Sequence, residues 1–194
     1  MSSKFVTLKL GIKKNMLDGL LVRLPPKSTT AMISTKNKFA AAPVIISREN
    51  IKSGNVSYVF INSGNANACT GKKGIDNCRK IINILSQRLG CAKKDILIMS
   101  TGIIGRQLPI KKILDSISSN SLISHSSLKS AATAIMTTDK FPKYISKSYK
   151  LGSTKFSFRG ICKGAGMIEP NMATMLSFIE TDVSISTANI KKYL

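Results

Sequence analysis

The stretch Ser57–Gly71, SYVFINSGNANACTG, changes character halfway along. Its first half, Ser57 to Ser63, is β-branched and aromatic and lies between two turn-forming pairs, Gly54-Asn55 and Gly64-Asn65. That combination predicts a strand. Downstream the period changes. Ile75, Cys78, Ile81, Ile82, Leu85 and Leu89 recur at helical spacing until Gly90, which predicts a helix over 75–89 with a glycine stop. ILIMS, Ile96 to Ser100, then reads as a buried strand. Alternation of strand and helix sets the class: an α/β or α+β layered fold, with sheets flanked by helices.

Working outward, strand-like runs occur at Phe5–Leu10, Ala31–Ser34 and Val44–Ser47. A helix starts near Pro109, a good first-turn residue, and runs to about Ile117. Another covers Leu128–Met136. After Pro142 the pattern alternates: Tyr144–Lys150 and Lys155–Cys162 form a hairpin about Gly152-Ser153, and MLSFIET, Met175 to Thr181, is a further strand. Ser186 to Leu194 opens a helix with Ser186 or Thr187 as its cap. The reading is of one domain, 1–194, with no internal repeat and no long linker.

Composition excludes several classes. With 194 residues, 43% of them hydrophobic, the chain can build a core and is not a disordered tail. No apolar run approaches the roughly 20 residues a membrane helix needs. The N-terminus has neither an apolar signal region nor an arginine-rich amphipathic pattern, so a cytoplasmic protein is expected. The net charge of +21 would suit nucleic acid. However, the lysines are spread along the chain, Ile, Asn, Ser and Lys are rich together as A/T-rich codons dictate, and aromatics reach only 6% with no tryptophan. No stacking platform is evident, and nucleic acid is not the expected partner. Cys69, Cys78, Cys91 and Cys162 form no CxxC pair, and the single His125 lies in a serine-rich segment. No metal site is expected; the cysteines read as packing or incidental thiols and His125 as solvated.

Three loops carry chemistry. NSGNANACTG, Asn62 to Gly71, joins strand to helix, where free N–H groups can hold an anion or a carbonyl oxygen; it reads equally as a turn with Asx-type caps. STGIIGRQLP, Ser100 to Pro109, follows a buried strand. Its Thr101-Gly102 pair can offer a hydroxyl and a backbone N–H in one direction, the parts of an oxyanion hole, or it is simply a tight turn. KGAGMIEPNMATML, Lys163 to Leu176, places Thr174 after Asn-Met-Ala. If the backbone at Ala173 is strained, the Thr174 hydroxyl can attack the Ala173 carbonyl. The resulting ester is then hydrolysed, leaving a new N-terminal threonine. An α-amine titrates at about 7.7–8.0, so Thr174 would carry its own base, which a chain with one unpromising histidine needs. The alternative is a hairpin loop with a surface threonine.

Taken together, AAAPV at Ala40–Val44, NSGNANACTG, STGIIGRQLP, MTTD at Met136–Asp139 and KGAGMIEPNMATML resemble the bifunctional ornithine acetyltransferase family of arginine biosynthesis, also called glutamate N-acetyltransferase. The five stretches fall in the family's order and cover nearly the whole chain. The resemblance implies an N-terminal-nucleophile-like fold. It also implies self-cleavage between Ala173 and Thr174 into an α chain, 1–173, and a β chain starting at 174, assembled as an α2β2 heterotetramer. It further implies that Thr174 takes acetyl from N-acetylornithine and passes it to glutamate, with acetyl-CoA as an additional donor in some members and no cofactor. Thr101 and Gly102 match the oxyanion pair; Thr137, Lys163 and Thr174 match substrate-contacting positions. Lys163 suits a substrate carboxylate as a point charge.

The chain departs from the family in two respects. Lys140 stands where threonine often follows Thr-Thr-Asp, and a long cation there either touches substrate or points to solvent. Family precursors are about twice as long, and the remainder of β supplies further substrate contacts, so activity is expected of the completed assembly, and apolar surface on these elements is expected to lack a partner. Two other classes compete: an N-terminal-nucleophile amidohydrolase or aminopeptidase, with water as acceptor, and a non-enzymatic basic nucleic-acid-binding remnant.

Overall fold

The computed structural model describes residues 2–164 and 175–194. The regular structure of the described residues is two sheets and five α-helices. The larger sheet has the order β1 (Lys4–Leu8), β2 (Gly19–Arg23), β3 (Tyr58–Asn65), β4 (Ile96–Ile103). Its first two pairings are antiparallel; β3 and β4 are parallel, as a strand–helix–strand connection through α2 (Gly71–Leu89) requires.

Successive strand residues point to opposite faces, and both faces here are covered. On one side Val6, Leu8, Leu21, Tyr58, Phe60, Ile96 and Ile98 pack with Cys78, Ile81 and Leu85 of α2 and with Ile113 and Ile117 of α3 (Ile110–Ser119). On the other, Phe5, Leu20, Val22, Val59, Ile61 and Leu97 meet α4 (Leu128–Ile135), whose Ala131, Ala132 and Ala134 are buried. The far side of α4 lies on the second sheet, β5 (Lys143–Leu151), β6 (Thr154–Lys163), β7 (Leu176–Thr181), antiparallel throughout. Ile161 of β6 joins that second core. A polar tie reinforces the stack: Arg159 of β6 pairs with Glu180 of β7 and donates to the Ser3 carbonyl at 2.9 Å, while Glu180 accepts the Ser3 N–H at 2.9 Å. The last helix, α5 (Thr187–Tyr193), is capped by Ser186, which accepts the Asn189 N–H at 3.2 Å.

Two expected strands are absent. Val44–Ser47 lies inside α1 (Ala42–Asn50), with Pro43 in its first turn. The β-branched run Val44-Ile45-Ile46 suggests a strand by propensity, but tertiary packing overrides it. Ile46 enters the first core, and Ser47 bonds the outer edge of β4, donating to the Ile98 carbonyl at 2.7 Å and accepting the Ile98 N–H at 2.8 Å. Asn50 adds a bond to the Ile96 carbonyl at 2.7 Å. Ala31–Ser34 joins no ladder; Arg48 of α1 donates to Ser34 Oγ at 2.9 Å and to the Thr35 carbonyl. The opposite margin of this sheet is treated like β4: Ser126 Oγ accepts the Thr7 N–H at 3.1 Å and the Ser126 N–H reaches the Phe5 carbonyl at 2.7 Å.

The second sheet differs. Its inner face carries Ile161 and Phe178, whereas its outer face presents Ile145, Ile179 and Leu151, which are 51%, 71% and 76% exposed, with the Tyr149–Phe156–Phe158 aromatic cluster beside them. This is the uncovered apolar surface expected from the sequence.

Candidate active site

The parallel strands run further than their hydrophobic patterns suggested: β3 continues to Asn65 and β4 to Ile103. The chemistry-bearing loops therefore begin inside the sheet, at the carboxyl ends of its parallel pair, where α/β sheets commonly bind ligands. Ser63 pairs with Thr101 and Gly64 with Gly102, and the register shifts at Asn65. Gly102 has φ +131°, and a Cβ there would sit 2.3 Å from the Gly64 carbonyl carbon and 2.5 Å from the Asn65 nitrogen. Only glycine fits so close an approach.

The asparagines of NSGNANACTG are occupied with structure. Asn62 donates to the Asn65 carbonyl at 2.8 Å and accepts from Ser100 Oγ at 2.6 Å. Asn65 donates to the carbonyls of Arg106 and Gln107 and accepts the Asn67 N–H. Asn67 donates to the Gly74 carbonyl and accepts from Thr70 Oγ1. Asn65 thus closes an Asx turn with the Asn67 N–H, while Thr70, at the N-cap of α2, makes no side-chain capping bond; the turn supports the ends of β3 and β4.

Thr101 points from β4 toward the second sheet, and Lys163, the last residue of β6, points back. The Lys163 ammonium donates to Thr101 Oγ1 at 3.0 Å, with both residues buried. Lys163 in turn pairs with Leu176, the first residue of β7. Beyond α4, Asp139 organises the neighbourhood: its carboxylate accepts from Lys143 Nζ at 2.5 Å, the Gly164 N–H at 2.9 Å and the Thr137 N–H at 3.3 Å. Lys143 also donates to the Gly164 carbonyl at 2.8 Å. Burial pushes the Asp139 carboxyl up, but the Lys143 ammonium and the two backbone N–H groups outweigh it and bring it down to about 2. Burial also lowers Lys163 from its ordinary value; Asp139 opposes that shift and Lys143 adds to it.

A third lysine borders the same region. Asp18 is fully buried and its carboxylate accepts the N–H groups of Leu10, Ile12 and Lys13 at 2.5, 2.7 and 2.8 Å. The turn so formed lays the Lys13 side chain against Gly64, and its ammonium reaches the Met136 carbonyl at 3.1 Å. Burial lowers Lys13, partly offset by Asp18.

Of the residues singled out in the sequence, Thr101, Gly102, Thr137 and Lys163 thus gather where the two sheets meet the end of α4. Ala173 and Thr174 lie outside the described residues. Lys140 is exposed, as is His125. Cys78 is buried against Asn67, and burial pushes its thiol up to about 12, which suits a packing role. Among the described residues no three His, Cys, Asp or Glu side chains cluster as a metal site would need. Lys13, Asp18, Asp139 and Lys143 were not anticipated. Asp139 closes the MTTD stretch, which was the one available signal; Lys13 and Asp18 carried none.

Matched against known families, residues 4–194 fit the ArgJ family. The chain belongs to that family. Among ArgJ relatives, the arginine biosynthesis bifunctional protein of Geobacter sulfurreducens is 40% identical over 184 residues, 94% of this chain and 47% of the relative. The mitochondrial protein of the same name from Dictyostelium discoideum is 44% identical over 192 residues, 97% and 43%. The chain spans about half the length of the curated relatives it matches. The fold agrees with two crystal structures. The ArgJ structure from Bacillus halodurans superposes with a TM-score of 0.80 at 29% identity, covering 89% of this chain and 91% of that one. The ornithine acetyltransferase of Mycobacterium tuberculosis, solved with ornithine, gives 0.71 at 28%, covering 90% and 93%. The layered α/β class and the ArgJ assignment therefore stand. Among the described residues no helix is long and apolar enough to cross a membrane.

Proposed function

We propose that this chain, completed to the length of its relatives, is a self-cleaving N-acetyltransferase that moves acetyl from N-acetylornithine to glutamate. Thr174 Oγ attacks the Ala173 carbonyl, the C–N bond breaks to give an ester, and water cleaves the ester, so that 1–173 becomes one chain and Thr174 the first residue of another. The freed α-amine takes the Thr174 hydroxyl proton as Oγ attacks the acetyl carbon of N-acetylornithine. The proton passes to the departing amine of ornithine, leaving acetyl-threonine. The amine of glutamate then attacks the ester, and Thr174 leaves with the proton.

The observation that carries this reading is the meeting of Thr101 and Lys163 beside the start of β7, which follows Thr174 by two residues in the sequence. In this scheme Thr101 Oγ and the Gly102 N–H face the oxyanion of each tetrahedral intermediate, a service whose loss costs about 2.7–4 kcal/mol per donor. Thr137 and Lys163 contact substrate, Lys163 through a carboxylate. Some members of the family take acetyl-CoA as a further donor; the scheme needs no cofactor, and its working assembly is an α2β2 heterotetramer. Kinship supports ornithine as one of the ligands: a relative of this fold was crystallised with it.

The test is the intact mass of the completed protein. Two fragments split between Ala173 and Thr174 are expected, and Thr174→Ala should give a single chain with no acetyl transfer. A Thr174→Ala protein that transfers acetyl at the normal rate refutes the nucleophile. Rapid release of free acetate, indifferent to glutamate, would assign water as the acceptor instead.

A further inference from the structure

We propose that Lys163, beyond any contact with substrate, is a positioning residue for Thr101: its ammonium holds the Thr101 oxygen as an acceptor and so commits the Thr101 hydroxyl proton to a donor role, pointing away from Lys163. The inference rests on the acyltransferase reading above and concerns how one half of its oxyanion hole is set.

An ammonium has three donors and no acceptor. At 3.0 Å from Lys163 Nζ, Thr101 Oγ1 can only accept. The hydroxyl proton must then point elsewhere, and among the described residues no acceptor takes it. A free threonine hydroxyl rotates and is as ready to accept as to donate; in an oxyanion hole the first orientation is useless. Here a buried charge selects the second. Because both groups are out of water, the charge also polarises the O–H bond, so that the hydroxyl donates more strongly than it would alone.

The lever is rigidly mounted at both ends. Thr101 sits in the β3–β4 ladder, with Gly102 pressed against Gly64. Lys163 ends β6, is paired with Leu176, and is followed by Gly164, whose N–H is held by Asp139 and whose carbonyl is held by Lys143. The Asp139–Lys143 pair therefore fixes the backbone from which Lys163 reaches across.

The test has two arms in the completed protein. The first needs no turnover: the side-chain 15N resonance of Lys163 should shift on Thr101→Val, and an unchanged resonance refutes the contact and the proposal. The second is a double-mutant cycle on kcat with N-acetylornithine and glutamate. Lys163→Met and Thr101→Val should each lower kcat by about 10²–10³-fold, and the double variant should be no slower than the worse single, because Lys163 acts through Thr101. If Lys163→Met is not recovered folded, Lys163→Leu, which likewise carries no donor, replaces it with the same expectation. Losses that multiply in the double variant, or a Lys163 variant that raises KM with kcat intact, overturn the role and leave the acyltransferase standing. Absence of acetyl transfer in the unaltered protein overturns the acyltransferase reading, and this role with it.

Discussion

Asp139 is one carboxylate serving three donors. Because its side chain is buried and its folded value lies near 2 against an ordinary 3.8, its charge stabilises the fold fully above the unfolded value and ceases to do so as the pH falls from about 4 to about 2. The difference amounts to roughly 2 kcal/mol. Urea midpoints measured between pH 6 and 2 should therefore fall in that window, and Asp139→Asn should flatten this part of the profile while lowering stability at neutral pH. An unaltered acid limb in the variant would assign it to other carboxylates. The residue was hidden in the sequence because its value depends on Lys143 and Gly164, which meet it only when β5 and β6 are paired. Gly102 was more legible: a Thr-Gly pair at a strand end announces a special backbone, although not which backbone it touches. The Lys13 contact depends on a turn wound around Asp18, and no motif marks that turn.

At the scale of elements, periodicity served well where a segment has one wet side or a full helical stripe. The strand–helix–strand unit through α2, the helices α3 and α4, and the β5–β6 hairpin were all readable. It failed at β2, where GLLVR is buried on both faces and too short to alternate, and at α1, where β-branched residues outvoted Pro43. What makes α1 a helix is partly Ser47, which supplies Ile98 of β4 with both a donor and an acceptor. Ser47→Ala should leave two backbone groups of that edge unpartnered, at about 1–3 kcal/mol. Denaturant unfolding would register the loss, and amide exchange at Ile98 would localise it; a variant as stable as the parent with Ile98 still protected would show that neighbours compensate.

The molecule as a whole combines a net charge of +21 with an apolar outer face on the second sheet. Like-charge repulsion keeps such surfaces apart at low salt. Screening shortens from about 10 Å at 0.1 M to about 3 Å at 1 M. Light scattering should therefore show self-association of this chain as salt rises, and Ile145→Lys with Ile179→Lys should suppress it. Salt-independent monomers in the parent would mean that the face is too small to drive contact. Charge told this story only in part from sequence: the total was plain, but which strand residues share a face required the register.

The serines at the margins of the larger sheet have a consequence for growth. Ser126 occupies backbone groups at one border and Ser47 at the other, so those borders are hemmed against newcomers. Among the described residues the outer edges of β5 and β7 carry no such side-chain bonds, so an added strand meets least obstruction there. Among the described residues the four-stranded layer is thus the bordered panel and the three-stranded layer the open one.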